Sequence, residues 1–218
     1  MGVNLAMRKI PVEDDFLEYT DTQASALTNI HQSKQNVAIW QRQLPTEMTG
    51  DIHDMLAANK SLILVKRVTP DNVGGYIQDK LAGYDCADAL SKDVALIVNM
   101  FCCLFDVEDA GLRLTTLDRA MCPKFHVDQI PCRLVTTYIG SGTQWLENNG
   151  FDSRHLDLVH DEKTGLSKQG FSIKQMQSGD VALLKGSGWK GNEERGLVHR
   201  SPTLIGNERR LLLTLDLV

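Results

Sequence analysis

Residues 124–128 read Lys-Phe-His-Val-Asp. In an extended chain, positions i and i+2 face the same way, so His126 and Asp128 can present an imidazole and a carboxylate side by side. A third candidate ligand, His199, stands in Gly-Leu-Val-His-Arg-Ser-Pro on a later expected strand. Two histidines and one carboxylate form the facial triad that holds non-haem Fe(II) and leaves adjacent coordination positions open, although the same donors accept Mn(II), Co(II), Ni(II) or Zn(II). Arg209 and Arg210 follow His199 and open an apolar run, Leu211 to Val218. A guanidinium entering such a strand is costly unless paired, and its planar fork matches a carboxylate. Each residue also has a structural explanation: His126 as a hydrogen-bonded sheet residue, Asp128 as a turn former, His199 as a rim residue paired with Glu193 or Glu194. The order of three ligand residues and a following arginine favours a metal site.

The stretch from Cys122 to Val218 resembles the Fe(II)- and 2-oxoglutarate-dependent oxygenases, whose double-stranded β-helix carries HxD, a distal histidine and a basic residue about ten positions further on. Gly179-Asp-Val-Ala-Leu-Leu-Lys-Gly before His199, and Gly206-Asn-Glu-Arg-Arg after it, match the surroundings of that distal histidine. The chain as a whole is also similar to a bacterial family of unknown function. The resemblance implies that His126, Asp128 and His199 bind iron and are the catalytic set, and that Arg209 or Arg210 meets the distal carboxylate of 2-oxoglutarate as cosubstrate. Arg210 shares a strand face with Thr214 and Asp216, the more polar of the two, which favours it over Arg209. Tyr138 and Thr143 are candidate hydrogen-bond partners of the cosubstrate. Trp145 and Trp189 could line the mouth or simply pack. The alternative reading is a cupin-like metal protein (a hydrolase, an isomerase or a sensor) that uses the same triad without 2-oxoglutarate.

Those residues need strands to hold them. After Gly111 the pattern turns β-branched, aromatic and glycine-punctuated, and strands are expected near 111–117, 124–129, 132–139, 143–147, 171–176, 180–185, 196–200 and 209–217. Eight short strands suit a jelly roll. Upstream, Thr46 is placed to start a helix through Met48, Ile52, Met55 and Leu56, a short strand covers Leu62–Val65, and Thr69-Pro70 opens a second helix towards Leu81. From Asp88 to Phe105, apolar residues recur at three and four, the mark of a long amphipathic helix. The expected fold is therefore α+β in one domain, with residues 1–110 as a helical and mixed support layer and 111–218 as a double-stranded β-helix.

The composition narrows the function classes. Forty-two per cent hydrophobic and 23% charged residues can build a core, and 23 basic against 28 acidic residues give a net charge of -5, with no global footprint for nucleic acid. No apolar run approaches the roughly 20 residues of a membrane span, and the N-terminus lacks a signal-like apolar stretch. Five cysteines without a CxxC pair argue against a disulfide framework or zinc ribbon and for a reduced, cytoplasmic setting. Cys122 could reach the metal as a fourth, softer ligand only if the Pro123 turn folds it back. The expected partners are a small-molecule cosubstrate and an unspecified substrate, with specificity in the loops 148–170 and 186–195. His155 and His160, among the acidic residues of the first loop, read as a solvated face. Oligomeric state is not legible.

Overall fold

The computed structural model describes residues 17–58, 61–147 and 172–218. Among the described residues, ten strands form two sheets: β1 (Leu17–Asp21), β2 (Gln35–Trp40), β3 (Ile63–Val68), β4 (Ala110–Leu117), β5 (Cys132–Ile139), β6 (Gln144–Leu146), β7 (Ile173–Gln175), β8 (Val181–Lys185), β9 (His199–Arg200) and β10 (Arg210–Asp216). The large sheet runs β1-β2-β8-β5-β10-β4-β3, and the small one β7-β6-β9. Apart from the parallel β1–β2 pair, the ladders are antiparallel. The described residues also form three α-helices, α1 (Thr46–Ala58), α2 (Pro70–Lys80) and α3 (Ala87–Phe105), and a 3-10 segment (Ala24–His31), which makes the architecture α+β. Among the described residues, no helix is long and apolar enough to cross a membrane.

Alternation along the strands divides the interior into two layers. One face of the large sheet carries Leu112, Leu114, Leu134, Leu183, Leu211, Leu213 and Leu215 against the apolar stripes of the helices, Ile52 and Met55 of α1, Val73 and Ile77 of α2, and Leu90, Val94, Ile97 and Phe101 of α3. The other face packs Val37, Ile39, Val135, Ala182 and Leu184 against Trp145, Met176 and Leu197 from the small-sheet side. A functional group on β5 or β10 therefore faces either the helices or the space between sheets, according to its phase.

Local chemistry sets the boundaries. Pro70 occupies the first turn of α2, where its missing N–H costs nothing, and the Asn72 side-chain oxygen accepts from the Thr69 amide. α3 ends at Asp106, which adopts a left-handed conformation (φ 52°).

Two expectations need correction. The segment 124–129 is no strand: it pairs only through a single bridge, His126 to His199. Pro123 and Pro131 bracket it without N–H groups to extend a ladder, and the Lys124 carbonyl accepts from the His126 ring instead. Likewise 196–200 shrinks to His199–Arg200. The first 110 residues supply β1, β2 and β3 to the large sheet. The 148–170 loop lies outside the described residues.

Gly140 ends β5 with φ +87°, and a Cβ there would collide with the Arg209 carbonyl oxygen. Gly140→Ala should cost about 2 kcal/mol or more, through left-handed strain together with the clash. Denaturant titration reads this directly, and an unchanged midpoint would mean the β5–β10 crossing relaxes freely.

Candidate metal centre and anion pocket

The site is built on one isolated bridge pair. His126 and His199 exchange backbone hydrogen bonds at 3.0 and 2.9 Å, which sets their rings 4.5 Å apart. Across β9, His199 lies opposite Trp145 of β6, so its ring shares the side of the small sheet that Trp145 packs into the inter-sheet core. Each imidazole ties Nδ1 to a carbonyl two residues upstream, His126 to Lys124 and His199 to Leu197, both at 3.0 Å. That arrangement orients the rings with Nε2 outward, as in metal-ligating histidines. His126 Nε2 lies 3.7 Å from Asp128 Oδ1, and His199 Nε2 lies 3.6 Å from Asp128 Oδ2.

One ligand atom from each of the three residues falls within 4.8 Å of the others. Two imidazole nitrogens and a carboxylate converging, with no other hydrogen-bond partner on either Nε2 among the described residues, are a donor set suited to a first-row divalent ion. Burial lowers the His199 pKa to about 4 despite the opposing pull of Asp128. Its ring is therefore neutral, the form that ligates metal.

Supports behind the ligands come from three elements. The Asp128 carbonyl accepts from the Ser187 amide at 2.8 Å, and Gly186 passes so close that a Cβ would meet the carbonyl oxygens of Ile130 and Asp128. The Asp128 carboxylate accepts from Arg133 Nη1 at 2.9 Å. Arg133 also donates to both carboxylate oxygens of Asp216, at 2.7 and 2.8 Å.

The two arginines at the start of β10 part company by phase. Arg209 points to the helical side and donates to the Leu56 carbonyl at the end of α1. Arg210 turns to the inter-sheet side, is 1% exposed, and donates to Thr137 Oγ1 and Thr143 Oγ1, the shortest contact being 2.8 Å. Burial lowers its pKa to about 10, with Glu208 opposing weakly through space. Glu208 is itself engaged with the Ser141 amide and hydroxyl. Among the described residues, no carboxylate is hydrogen-bonded to Arg210. Thr143 immediately precedes Gln144, which pairs with Arg200, so Arg210 adjoins the strand pair that carries His199.

Other expected site residues go elsewhere. Tyr138 faces the helices, and its hydroxyl donates to Asp93 at 2.7 Å beside the Arg42–Asp93 ion pair. Simple alternation explains the phase: Tyr138 is in step with Leu134 on the helical side and Thr137 with Val135 on the other, and the bulge between Thr137 and Ile139 does not alter this. Trp145 packs between the sheets, and Trp189 packs on the helical side under the Lys185 ammonium. Cys122 is exposed and stands outside the three-residue cluster, and His199 meets Asp128 rather than Glu193 or Glu194. His155 and His160 lie outside the described residues. Thr137 and Arg133 were not legible as site residues, although both share the inward phase of Val135 on β5, a signal that alternation alone carries.

Comparison with solved structures finds distant likenesses. The rice dioxygenase for auxin oxidation is 12% identical over 84% of this chain and 73% of its own, with a TM-score of 0.49. A putative oxygenase from Shewanella oneidensis is 12% identical over 93% and 89%, with a TM-score of 0.48. A Pseudomonas putida prolyl-4-hydroxylase is 8% identical over 88% and 96%, with a TM-score of 0.46. No curated protein matches the sequence at a significant level. A family model does, over residues 21–216, nearly the full length described above, and the chain thus belongs to the family described as Protein of unknown function (DUF1826).

Proposed function

We propose that the protein is a mononuclear non-haem Fe(II)- and 2-oxoglutarate-dependent oxygenase on a single-domain double-stranded β-helix. The observation that carries the proposal is Arg210: a buried guanidinium held by two threonine hydroxyls, with no hydrogen-bonded carboxylate among the described residues, beside a His/Asp/His cluster. A charge kept in such a place calls for an anion. Planar donors on the inter-sheet side of β10 suit the distal carboxylate of a small dicarboxylate. His126, Asp128 and His199 would hold the iron, which when bound supplies the oxidative chemistry that protein side chains lack.

The chain's own work is positional. The Nδ1 bonds to Lys124 and Leu197 carbonyls lock the imidazoles before an ion arrives, so little ordering is left to binding. Arg210, Thr137 and Thr143 fix one end of the cosubstrate, and Leu184, Val135 and Trp145 exclude water around it. Tyr138 and Arg209 take no part, because their polar atoms are spent on the helical side. The five free cysteines fit a reducing, cytoplasmic setting.

Anaerobic calorimetry of the Fe(II)-loaded protein with 2-oxoglutarate tests this reading. Saturable one-to-one binding with a new visible charge-transfer band is the expected result. Neither heat nor band, in protein that has bound one equivalent of Fe(II), would leave a metal site that works without this cosubstrate.

A further inference from the structure

We propose that Arg133 is a positioning residue for the metal centre, holding the Asp128 carboxylate, and that Asp216 holds Arg133 in turn. The inference rests on reading His126, Asp128 and His199 as metal ligands. Arg133 and Asp216 are direct partners in the β5–β10 ladder, at the end of the large sheet next to the Asp128 turn. Arg133 Nε and Nη2 grip the two Asp216 oxygens, and Nη1, the remaining corner of the same planar group, reaches Asp128 Oδ2. A lysine, with one point-like ammonium, cannot hold both carboxylates in this side-on and end-on geometry.

The consequence for the ligand is rotational and electrostatic. An aspartate's terminal torsion is broad, so an unrestrained Asp128 could offer either oxygen or swing away. With Oδ2 engaged by Arg133, Oδ1 is left without a hydrogen-bond donor among the described residues, 3.7 Å from His126 Nε2. Asp216 also offsets the positive charge of Arg133, which would otherwise stand directly behind a cation site. The trio Asp128, Arg133 and Asp216 sums to one negative charge, the same as Asp128 alone. Orientation is thus gained without discharging the ligand.

Anaerobic titration with Co(II), a coloured stand-in for Fe(II), separates the possibilities, with circular dichroism reporting the fold. Wild type should bind one equivalent and develop d–d absorption bands. Arg133→Gln should remain folded, raise the Co(II) Kd roughly 10- to 100-fold, and change the band positions or intensities, because outer partners of metal ligands typically act on that scale. Arg133→Lys should recover part of the affinity but not the wild-type spectrum, which loss of packing alone would not produce. Arg133→Gln that binds Co(II) with wild-type affinity and spectrum would overturn the proposal. Should that variant not fold, Asp216→Asn carries the test, with a weaker, several-fold loss and an altered spectrum expected and wild-type behaviour overturning it. Failure of the wild type itself to bind Co(II) would sink the metal-site reading and this proposal with it, whereas normal wild-type binding with an unaffected variant sinks only the role of Arg133.

Discussion

His126→Ala should abolish stoichiometric Fe(II) binding and leave the folded structure in place. The backbone bridge to His199 uses the amide and carbonyl of residue 126, so it survives loss of the ring. The imidazole is about one-third exposed, and its removal opens no large buried cavity. The stability change should therefore stay near 1 kcal/mol or below. Metal affinity is another matter. If four-ligand sites bind with roughly 10–16 kcal/mol, one ligand carries about 3 kcal/mol, so the loss should be roughly 100- to 1,000-fold. His199→Ala should do the same to the metal, but its ring is buried, and a cavity penalty would complicate the reading. Anaerobic gel filtration followed by metal analysis, beside a thermal melt, gives both quantities. Wild-type affinity in a folded His126→Ala protein would remove the triad from the proposal.

Elements whose signal is local were legible in the sequence. The stripe from Leu90 to Phe105 repeats at helical spacing and becomes α3, and the β-branched run from Cys132 to Ile139 becomes β5 with the expected ends. β1 and β2 escaped because their place is set by pairing with each other and with β8, far along the chain. The HxD turn shows the opposite error. Its i, i+2 relation suggested a strand, yet the ligands converge on an irregular segment held by a bridge, ring-to-carbonyl bonds and Ser187.

Phase decided the rest. The polar character of the Thr214 face pointed to Arg210, and the alternation of β10 indeed separates it from Arg209. The same rule puts Tyr138 in step with Leu134 on the helical face, but which face of β5 carries the site is set by the pairing of distant strands and is not written in β5 alone. Arg133 was invisible for a related reason. Its importance comes from the register that sets it opposite Asp216 and from a turn that brings Asp128 within 2.9 Å.

Arg210→Met should move stability and function in opposite directions. The folded protein disfavours the charged guanidinium, since its pKa is lowered to about 10 by burial. For a base with a depressed folded pKa, the unfolded chain holds the proton more tightly. The cost is thus fully present at neutral pH and is relieved only as pH rises through about 10 and beyond. Its size is on the order of 3 kcal/mol. Methionine removes that cost and fills similar space, while the Thr137 and Thr143 hydroxyls each lose a hydrogen bond worth about 1 kcal/mol. The net expectation is a stabilisation of about 1 kcal/mol, or a Tm higher by about 2–4 °C for a chain of this length. Loss of a buried charged partner should meanwhile weaken 2-oxoglutarate binding by about 2–5 kcal/mol, roughly 30-fold to several thousand-fold. Stoichiometric Fe(II) binding should persist, because Arg210 touches none of the three ligands in the hydrogen bonds it makes. A folded variant that melts lower and still binds 2-oxoglutarate as the wild type does would assign Arg210 to the scaffold, and the cosubstrate would lose its anchor. A variant that melts higher and binds metal but not 2-oxoglutarate is the pattern of a residue kept for its ligand at the expense of the fold.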